Sequence, residues 1–344
     1  MTAQTLRTPE ALAEIGLVDA GDLPALRRVA EQYAVSLTPA VAELVEHAHD
    51  PIARQFVPSA AELDVRPEEL ADPIGDATHS PVEGIVHRYP DRCLLKLNHA
   101  CAVYCRFCFR REMVGPGGLR PLSRKALDAA VAYIAGRSEI WEVVVTGGDP
   151  LILSPRRIRE AMARLAAIDH VKVVRFHTRV PAAAPEMVSG DLVAALMSSG
   201  KTTYLALHAN HARELTPAAR AACARIVDAG MPMLGQTVLL KGVNDDPQAL
   251  SALMRAMVET RIKPYYLHHP DLAPGTAHLR CTIEEGQAVM RAMRGAVSGL
   301  CQPTYVLDIP GGHGKVPVGP QYLHGAEVAD PSGGRHAYPP RAAG

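Results

Sequence analysis

The sequence predicts an α/β fold in which parallel strands are connected by crossover helices. From Arg92 onward, short apolar runs rich in β-branched residues alternate with Ala-rich stretches at helical spacing. This alternation is typical of parallel sheets that carry helices on their faces. The runs are apolar enough to be buried on both faces. The pattern alone does not distinguish an open doubly wound sheet from a barrel.

Seven strands and six helices are predicted in this region. The strand candidates are 93–98, 142–146, 171–176, 203–207, 233–239, 262–267 and 304–307. Helices are predicted between them at 123–135, 155–167, 191–199, 217–229, 247–260 and 283–297. The residues after Gly325 are rich in Gly, Pro and Ala, and we expect a loose extension there.

The first 85 residues are predicted to form a helical, irregular segment that wraps around the main domain. Thr8 followed by Pro9 is a helix start, and residues 23–48 carry apolar residues at helical spacing. Five prolines follow between residues 51 and 81. We therefore divide the chain into a wrapping segment at 1–85, an α/β domain at 86–303 and a C-terminal segment at 304–344.

The composition excludes several classes of partner. The chain has 344 residues and a formal net charge of +0, so it has no basic excess with which to bind nucleic acid. No apolar run is long enough to cross a bilayer, and the N-terminus lacks a secretory signal pattern. We expect a cytoplasmic protein that binds neither nucleic acid nor a membrane.

The most informative motif is CAVYCRFC, which contains Cys101, Cys105 and Cys108. Its C-x3-C-x2-C spacing places three thiols in one short loop after a predicted strand, and in barrels that end of a strand is the catalytic face. A four-iron cube needs four ligands, usually Cys thiolates. Three cysteines therefore leave one iron open to a substrate or cosubstrate. The other cysteines are scattered singly, and we expect them to be buried structural residues: Cys93, Cys223, Cys281 and Cys301.

Two glycine-rich runs also suggest ligand contacts. Gly147, Gly148 and Asp149 follow a predicted strand, where paired glycines let the backbone approach a ligand and Asp149 offers an anionic acceptor. Lys315 ends the run PGGHGK, in which a lysine can reach a flat aldehyde cofactor without side-chain clashes. Each run also has an ordinary interpretation, as a strand-to-helix turn and as a flexible surface loop.

Arginines mark two more candidate positions. Arg88, Tyr89 and Arg92 lie in HRYPDR, where two guanidinium groups and an aromatic ring suit a phosphate clamp with a stacking surface. Arg110 lies two residues past the last cysteine of the motif, and an arginine fork suits a bidentate grip on a carboxylate. By themselves, the same residues are also compatible with a solvated basic turn and a surface arginine.

Taken together, these motifs resemble the radical S-adenosylmethionine (SAM) enzymes, in which SAM chelates the open iron of a 4Fe-4S cluster. Phe107, just before the third cysteine, also fits that signature. The resemblance extends from about Asp50 to Tyr322 and is specific to the lysine 2,3-aminomutase group. It implies a partial (β/α)6 barrel with the cluster loop after its first strand. The implied cofactors are the 4Fe-4S cluster, SAM and pyridoxal 5′-phosphate (PLP).

The resemblance also implies roles for individual residues. The cluster ligands are Cys101, Cys105 and Cys108; the SAM contacts are Gly147, Gly148, Asp149, His208 and Gln236; the PLP contacts are Lys315, Arg88, Tyr89 and Arg92. Arg110 binds the substrate α-carboxylate, and Asp271 and Asp308 hold its side-chain ammonium, since two carboxylates suit a compact cation. The sequence departs from the group at His313, where glycine is usual. It also lacks the cysteines with which long aminomutases bind zinc, so we expect no zinc site.

The implied activity is interconversion of L-lysine and β-lysine, with electrons from a reductant such as flavodoxin or ferredoxin. Two related activities remain open: formation of β-lysine for elongation factor P, and arginine 2,3-aminomutase activity. A third alternative is an iron–sulfur binding or electron-transfer protein, which would have no reason to cleave SAM. The sequence leaves open whether the protein forms a homo-oligomer.

Overall fold

A computed structural model of the chain describes residues 4–114 and 121–340; residues 1–3 and 341–344 of the predicted terminal segments lie outside the described residues. Its main feature is a nine-stranded sheet whose spatial order follows the sequence order. The strands are β1 Ile85–Tyr89, β2 Arg92–Asn98, β3 Glu142–Gly147, β4 Val173–Thr178, β5 Thr202–His208, β6 Met233–Val238, β7 Ile262–His268, β8 Thr304–Ile309 and β9 Gly314–Pro317.

The strand order decides between the two architectures that the sequence left open. A doubly wound sheet reverses its strand order at a switch point, whereas here each strand from β2 to β8 pairs in parallel with the next one in sequence. Such a sheet curls in one direction. Its two edge strands come close, because the backbone N–H of Lys315 on β9 donates to the Tyr89 hydroxyl of β1 at 2.7 Å. The prediction of a partial barrel is confirmed.

The six predicted crossover helices are present, and all seven predicted strands lie within two residues of their expected starts. The helices are α1 Pro9–Glu14, α2 Leu23–Gln32, α3 Pro39–Ala42, α4 Ala53–Phe56, α5 Arg124–Ala135, α6 Pro155–Ala166, α7 Val180–Ala183, α8 Gly190–Leu196, α9 Pro217–Asp228, α10 Pro247–Glu259 and α11 Ile283–Met293. A Ser, Thr or Asp side chain caps the first turn of each crossover helix. The antiparallel edge strands β1 and β9 were not predicted.

Alternation along the strands separates the core from the interior of the barrel. On β3, Val143 and Val145 pack in the core with the helices, whereas Val144 and Thr146 line an interior cavity. This follows from the period of two, because successive side chains point to opposite faces. The interior is therefore left partly open, and the carboxyl ends of the strands lie around it.

In the N-terminal segment, the helical spacing of residues 23–48 corresponds to two separate helices, α2 and α3. Helix α2 ends at Gln32, and Leu37 then forms an antiparallel bridge with Leu6. Thr38 is extended and caps α3, which begins at Pro39. Thr38 is extended because the residue before a proline is disfavoured in the helical region.

The tail is more ordered than predicted. Within the described residues it forms a three-stranded antiparallel sheet of β10 Leu323–His324, β11 Glu327–Ala329 and β12 Arg335–Ala337. A separate finding concerns membranes: none of the helices in 4–114 and 121–340 is long and apolar enough to span a bilayer.

Candidate active site

A cavity of about 670 Å³ lies inside the barrel at the carboxyl ends of the parallel strands. All the site residues predicted from the sequence line it: Arg88, Tyr89, Arg92, Cys101, Cys105, Cys108, Arg110, Gly147, Gly148, Asp149, His208, Gln236, Asp271, Asp308 and Lys315. They come from β1, the start of β2, the loops after β2 and β3, the ends of β5 to β8, and β9. The fold therefore brings together motifs that are more than 200 residues apart in the sequence.

The three thiols of the cluster loop are suited to an iron–sulfur cluster. Cys101, Cys105 and Cys108 are half-buried and form no disulfide. Burial raises the pKa of all three thiols, to about 11 for Cys105, and the neighbouring sulfurs raise the pKa of Cys101 further. Such thiols ionise readily only when a nearby positive charge compensates them, and iron provides that charge.

These thiols are not arranged around a single ion. In the part of the chain that the structure describes, no three His, Cys, Asp or Glu side chains converge as they do around one metal. The thiolates of a cube bind separate irons, so they are expected to stand farther apart than the ligands of one ion.

Buried ion pairs hold the cluster loop to the N-terminal segment. Glu62 forms ion pairs with both Arg106 and Arg111, and Arg106 also donates to the carbonyl of Ala34 at 2.6 Å. Burial alone would raise the pKa of Glu62, but the two guanidinium groups hold it below its usual value. The segment at 4–85 thus forms part of the wall behind the cluster loop.

The paired glycines allow a close approach, and the group they approach is the cluster loop. A Cβ on Gly147 would lie 2.3 Å from the Asn98 carbonyl oxygen, and one on Gly148 would lie 2.2 Å from that of Ala100. The Gly148 N–H donates to Asn98 at 2.7 Å. Larger residues would push the β3 turn away from the start of the cluster loop.

Asp149 is not the free acceptor that the sequence suggested. Its two carboxylate oxygens accept from the backbone N–H groups of Leu151, Arg179 and Val180 and from the Thr178 hydroxyl. Four bonds use the accepting capacity of a carboxylate. The direct SAM contact expected of this side chain therefore does not fit. Asp149 instead fixes the turn after β4, and burial raises its pKa.

His208 retains an unused polar atom at the cavity. Among the described residues its Nε2 is buried and has no hydrogen-bond partner, and its ring packs against Phe107 at 5.7 Å between centroids. Burial holds the pKa of His208 well below its usual value, so the ring is neutral. Gln236 lines the same wall. Together they present neutral polar atoms that fit the polar groups of SAM.

Lys315 lies on β9, not in a flexible loop. Its ammonium forms an ion pair with Asp308, and its Nζ lies 3.1 Å from Nδ1 of His268. Burial and the nearby ammonium lower the pKa of His268 to about 4. A neutral imidazole and a carboxylate therefore hold the lysine side chain inside the cavity.

The glycines before Lys315 contact a strap formed by residues 72–80. Gly312 has a φ of +85°, and a Cβ on Gly75 of the strap would lie 2.5 Å from its backbone nitrogen. His79 Nε2 lies 3.0 Å from the Gly312 carbonyl oxygen. The sequence suggested that these glycines leave room for a cofactor. In the structure they leave room for the strap.

The predicted arginines already have carboxylate partners. Arg110 binds Asp76 of the strap through Nε at 2.9 Å and Nη2 at 2.8 Å. Arg88 lies 3.5 Å from Asp76 and 3.7 Å from Asp308. Arg92 lies at the edge of the cavity, with its guanidinium 3.9 Å from the Tyr89 ring centroid. Burial opposes ionisation of Asp76, but Arg110 holds its pKa below the usual value.

The two aspartates differ in their state of charge. Burial opposes ionisation of Asp308, but His268 and Lys315 lower its pKa to about 2. For Asp271, burial and the charge of Asp308 raise the pKa to about 7. The hydrogen bonds found among the described residues include none to the Asp271 carboxylate. Within the described residues, this second carboxylate therefore has no hydrogen-bonded cation of its own.

Sequence reasoning missed several residues that line the cavity: Asp76, Arg175, His177, Arg179, Tyr265, Tyr266 and His268. A signal for three of them was present in VVRFHTR, where Arg175, His177 and Arg179 alternate with apolar residues at the period of a strand. Polar residues at every second position of a buried strand indicate a polar interior. Asp76 had no comparable signal, since only the tertiary fold places it beside Arg110.

Two protein-family models match this chain, one over the cluster loop and the other over Lys315. A model of the Radical SAM superfamily matches residues 95–253, and a Lysine-2,3-aminomutase model matches residues 290–328. The L-lysine 2,3-aminomutase of Acetoanaerobium sticklandii is 37% identical over 300 residues, which are 87% of this chain and 72% of that protein. The enzyme of the same name from Clostridium subterminale is 37% identical over 292 residues, 84% and 70% of the two chains.

A relative with a different substrate in its name is nearly as similar. The glutamate 2,3-aminomutase of Clostridioides difficile is 33% identical over 300 residues, 87% of this chain and 70% of that protein. Among solved structures, a radical SAM methyltransferase from Sphaerobacter thermophilus matches with a TM-score of 0.46 at 21% identity, covering 65% of this chain and 68% of that one.

Proposed function

Because this chain belongs to the lysine 2,3-aminomutase family of radical SAM enzymes, we propose that it interconverts L-lysine and β-lysine by moving an amino group between neighbouring carbons. The family uses a 4Fe-4S cluster, SAM and PLP. When bound, these groups supply the radical and the electron delocalisation that the migration needs. The protein contributes position, charge and exclusion of water.

We assign each cofactor to residues whose environment fits it. Cys101, Cys105 and Cys108 hold the cluster, since they are the thiols that need a compensating charge. The SAM wall consists of the Gly147–Gly148 backbone, His208 and Gln236, with Asp149 holding its shape. The PLP site consists of Lys315, Arg88, Tyr89 and Arg92. Its lysine is half-buried beside a neutral histidine, which suits an attachment site for an aldehyde.

The substrate assignment rests on one observation. The Asp308 carboxylate already forms an ion pair with a primary ammonium at the end of a four-carbon chain. That ammonium belongs to Lys315, and it has the same chemistry as the side-chain end of free lysine. With Lys315 serving as the attachment point for PLP, the two aspartates would be available to a cation. Arg110 then takes the α-carboxylate. A glutamate side chain would bring a third negative charge to this wall, so the paired aspartates favour lysine. Family membership alone does not define the substrate, since a glutamate 2,3-aminomutase is among the relatives.

The experiment is anaerobic incubation of the reconstituted protein with dithionite, SAM, PLP and single amino acids, followed by chromatography of the products. We expect β-lysine from lysine and much less product from glutamate or alanine. A preference for arginine would retain the cation site but change the substrate. Cleavage of SAM without any rearranged amino acid would refute the proposal.

A second experiment tests the PLP site. Lys315→Ala should lose covalently bound PLP, measured by borohydride reduction and peptide mapping, while its iron content stays at the wild-type level. Lys241→Ala is the control, because Lys241 lies outside the cavity lining. Attachment of PLP to another lysine would contradict the assignment.

We propose a reducing, cytoplasmic setting with flavodoxin or ferredoxin as the electron donor, because a cluster on three thiolates is sensitive to oxidation. We also propose a division of the chain into three segments. Residues 1–85 wrap around the barrel, residues 86–303 form most of it, and residues 304–344 carry Lys315. Delivery of β-lysine to elongation factor P uses the same chemistry, and assay with that protein as acceptor distinguishes it from free-lysine metabolism.

A further inference from the structure

Arg179 occupies an unusual position beside the cluster loop. It follows β4, and its guanidinium is almost completely buried. Nη1 lies 3.6 Å from Sγ of Cys105, within hydrogen-bond reach of a sulfur. Nothing in the cofactor assignments above uses this residue.

The guanidinium is fixed from several directions. Glu214 forms an ion pair with it, and Gln55 accepts from Nη2 at 2.6 Å. The rings of Phe56 and Phe107 lie 4.6 Å and 5.5 Å from its central carbon. A buried arginine with this many contacts cannot swing away, so its positive end stays directed at Cys105.

The other two thiols lack such a contact. The backbone of Asp149 and that of Arg110 act to lower the pKa of Cys101 and Cys108, but the hydrogen bonds found among the described residues include none from a side chain to either sulfur. Within that part of the chain, Cys105 is the cluster thiol that a charged side chain contacts. Hydrogen bonds to the cluster sulfurs, net charge and burial all set the reduction potential of an iron–sulfur cluster. A cation close to a ligand sulfur stabilises the form that carries more negative charge, and low local polarity strengthens this effect.

We propose that Arg179 is a tuning residue that raises the reduction potential of the cluster through its contact with Cys105. The inference rests on the proposed cluster ligands but not on the proposed substrate. The step it concerns adds one electron to the cluster, supplied by dithionite in vitro or by the electron donor proposed above. Since Gln55 and Phe56 belong to the N-terminal segment, docking of that segment contributes to the potential.

The chain offers a matched control. Arg175 lies four residues before Arg179 on the same inward face, and it pairs with Glu142 at 2.9 Å as Arg179 pairs with Glu214. Both arginines line the cavity, but the contacts of Arg175 include no cluster thiol. Two double variants, Arg179→Gln/Glu214→Gln and Arg175→Gln/Glu142→Gln, each remove one positive and one negative charge. They differ in the contact with Cys105.

The test is a redox titration of the cluster-loaded full chain without SAM or lysine, monitored by electron paramagnetic resonance. We expect the midpoint potential of Arg179→Gln/Glu214→Gln to become more negative than that of the wild type, and the Arg175 control to keep the wild-type value. Equal potentials in all three proteins would overturn the proposal, as would an equal shift in both variants. Because lysine is absent, failure of the substrate assignment does not affect this result.

A second variant keeps the proposal testable if the double variant fails to fold. Arg179→Lys keeps the positive charge but loses the fork that reaches both Glu214 and Cys105. Its iron content should equal that of the wild type, and its potential should shift in the same negative direction by a smaller amount. An unchanged potential in a fully loaded Arg179→Lys protein would overturn the inference.

Discussion

At the residue scale, the central feature is that two neighbouring aspartates are in different states of charge. Asp308 is ionised because a lysine and a histidine contact it, whereas Asp271 has a pKa of about 7 because burial and Asp308 oppose its charge. Two partly buried carboxylates that repel each other are costly without a cation. The substrate ammonium offsets this electrostatic cost when it binds. The repulsion between the two carboxylates therefore favours binding of a substrate that carries a side-chain cation.

Removing either carboxylate should weaken lysine recognition. A lost hydrogen bond to a charged group costs about 1.5–3 kcal/mol, which corresponds to a roughly ten- to hundredfold lower kcat/KM for lysine. We expect this for Asp271→Asn and at least as much for Asp308→Asn, which also loses the partner of Lys315. The measurement is steady-state kinetics with lysine, arginine, glutamate and alanine.

The control for these variants is Asp128→Asn on the exposed face of α5, whose pair with Arg164 lies far from the cavity. It should keep wild-type kinetics. Near wild-type lysine turnover in both site variants would show that the ammonium binds elsewhere.

The raised pKa of Asp271 also predicts a pH dependence. Below pH 7 the free protein increasingly carries a proton on this carboxyl, and a neutral carboxyl attracts an ammonium less strongly. Because kcat/KM reports the free enzyme, the value for lysine should fall as the pH decreases through about 7. In Asp271→Asn this decrease should disappear. A decrease of the same shape in wild type and variant would assign it to another group.

At the scale of single elements, the cluster loop makes the most direct prediction. Replacing Cys101, Cys105 or Cys108 with Ala should abolish the four-iron cluster, because each supplies one of three protein ligands. Iron and sulfide analysis after anaerobic reconstitution measures the effect. Cys223→Ala is the control, since Cys223 is buried on α9 away from the loop. Full iron loading in a triple variant of the loop would defeat the assignment.

The strap at 72–80 is the second element with a testable role. Gly75→Ala forces a Cβ to within 2.5 Å of the Gly312 backbone at a φ of +67°, so it should displace the strap or the loop before Lys315. We expect lower PLP occupancy and a loss of stability of about 1–3 kcal/mol. Both are measured by absorbance of the bound cofactor and by denaturant unfolding.

Gly16→Ala separates the two causes of that loss. Gly16 has a similar φ of +76°, but nothing lies within 4 Å of the added Cβ. It should show only the backbone cost of about 1–2 kcal/mol and unchanged PLP occupancy. Equal PLP occupancy in the two variants would mean that the strap does not support the lysine.

At the scale of the whole molecule, the N-terminal segment and the barrel should unfold together. Glu62 joins them through two arginines that are almost fully buried. Glu62→Gln leaves uncompensated buried charge, and we expect the free energy of unfolding to fall by about 3–5 kcal/mol. Denaturant unfolding followed by circular dichroism measures it.

An exposed ion pair provides the comparison. Arg27 and Glu10 form a pair in the same segment at 2.7 Å, and exposed pairs contribute less than about 1 kcal/mol. Glu10→Gln should therefore leave the unfolding curve nearly unchanged. Two separate transitions in the wild type, with only one affected by Glu62→Gln, would indicate an independent N-terminal domain.

The sequence by itself determined the order of elements, the cluster loop and the candidate site residues that the cavity brings together. These follow from local properties: apolar periodicity, helix caps and short motifs such as CAVYCRFC, each within a few residues. It did not give the bounds of the two helices within residues 23–48, which are separated before Thr38 and Pro39. It also missed β1 and β9, because short edge strands with polar residues have a weak local signal.

Only the tertiary structure decided which side chains face one another. Asp76 meets Arg110, Asp149 turns away to four protein donors, and Arg179 reaches Cys105. Except for Leu151, which is two residues from Asp149, none of these partners is close in sequence, so no local pattern encodes them. The charge states of Asp271 and Asp308 depend on burial and on neighbours from other strands. Desolvation and Coulomb interactions act through space, so they are fixed only after the strands have curled around the cavity.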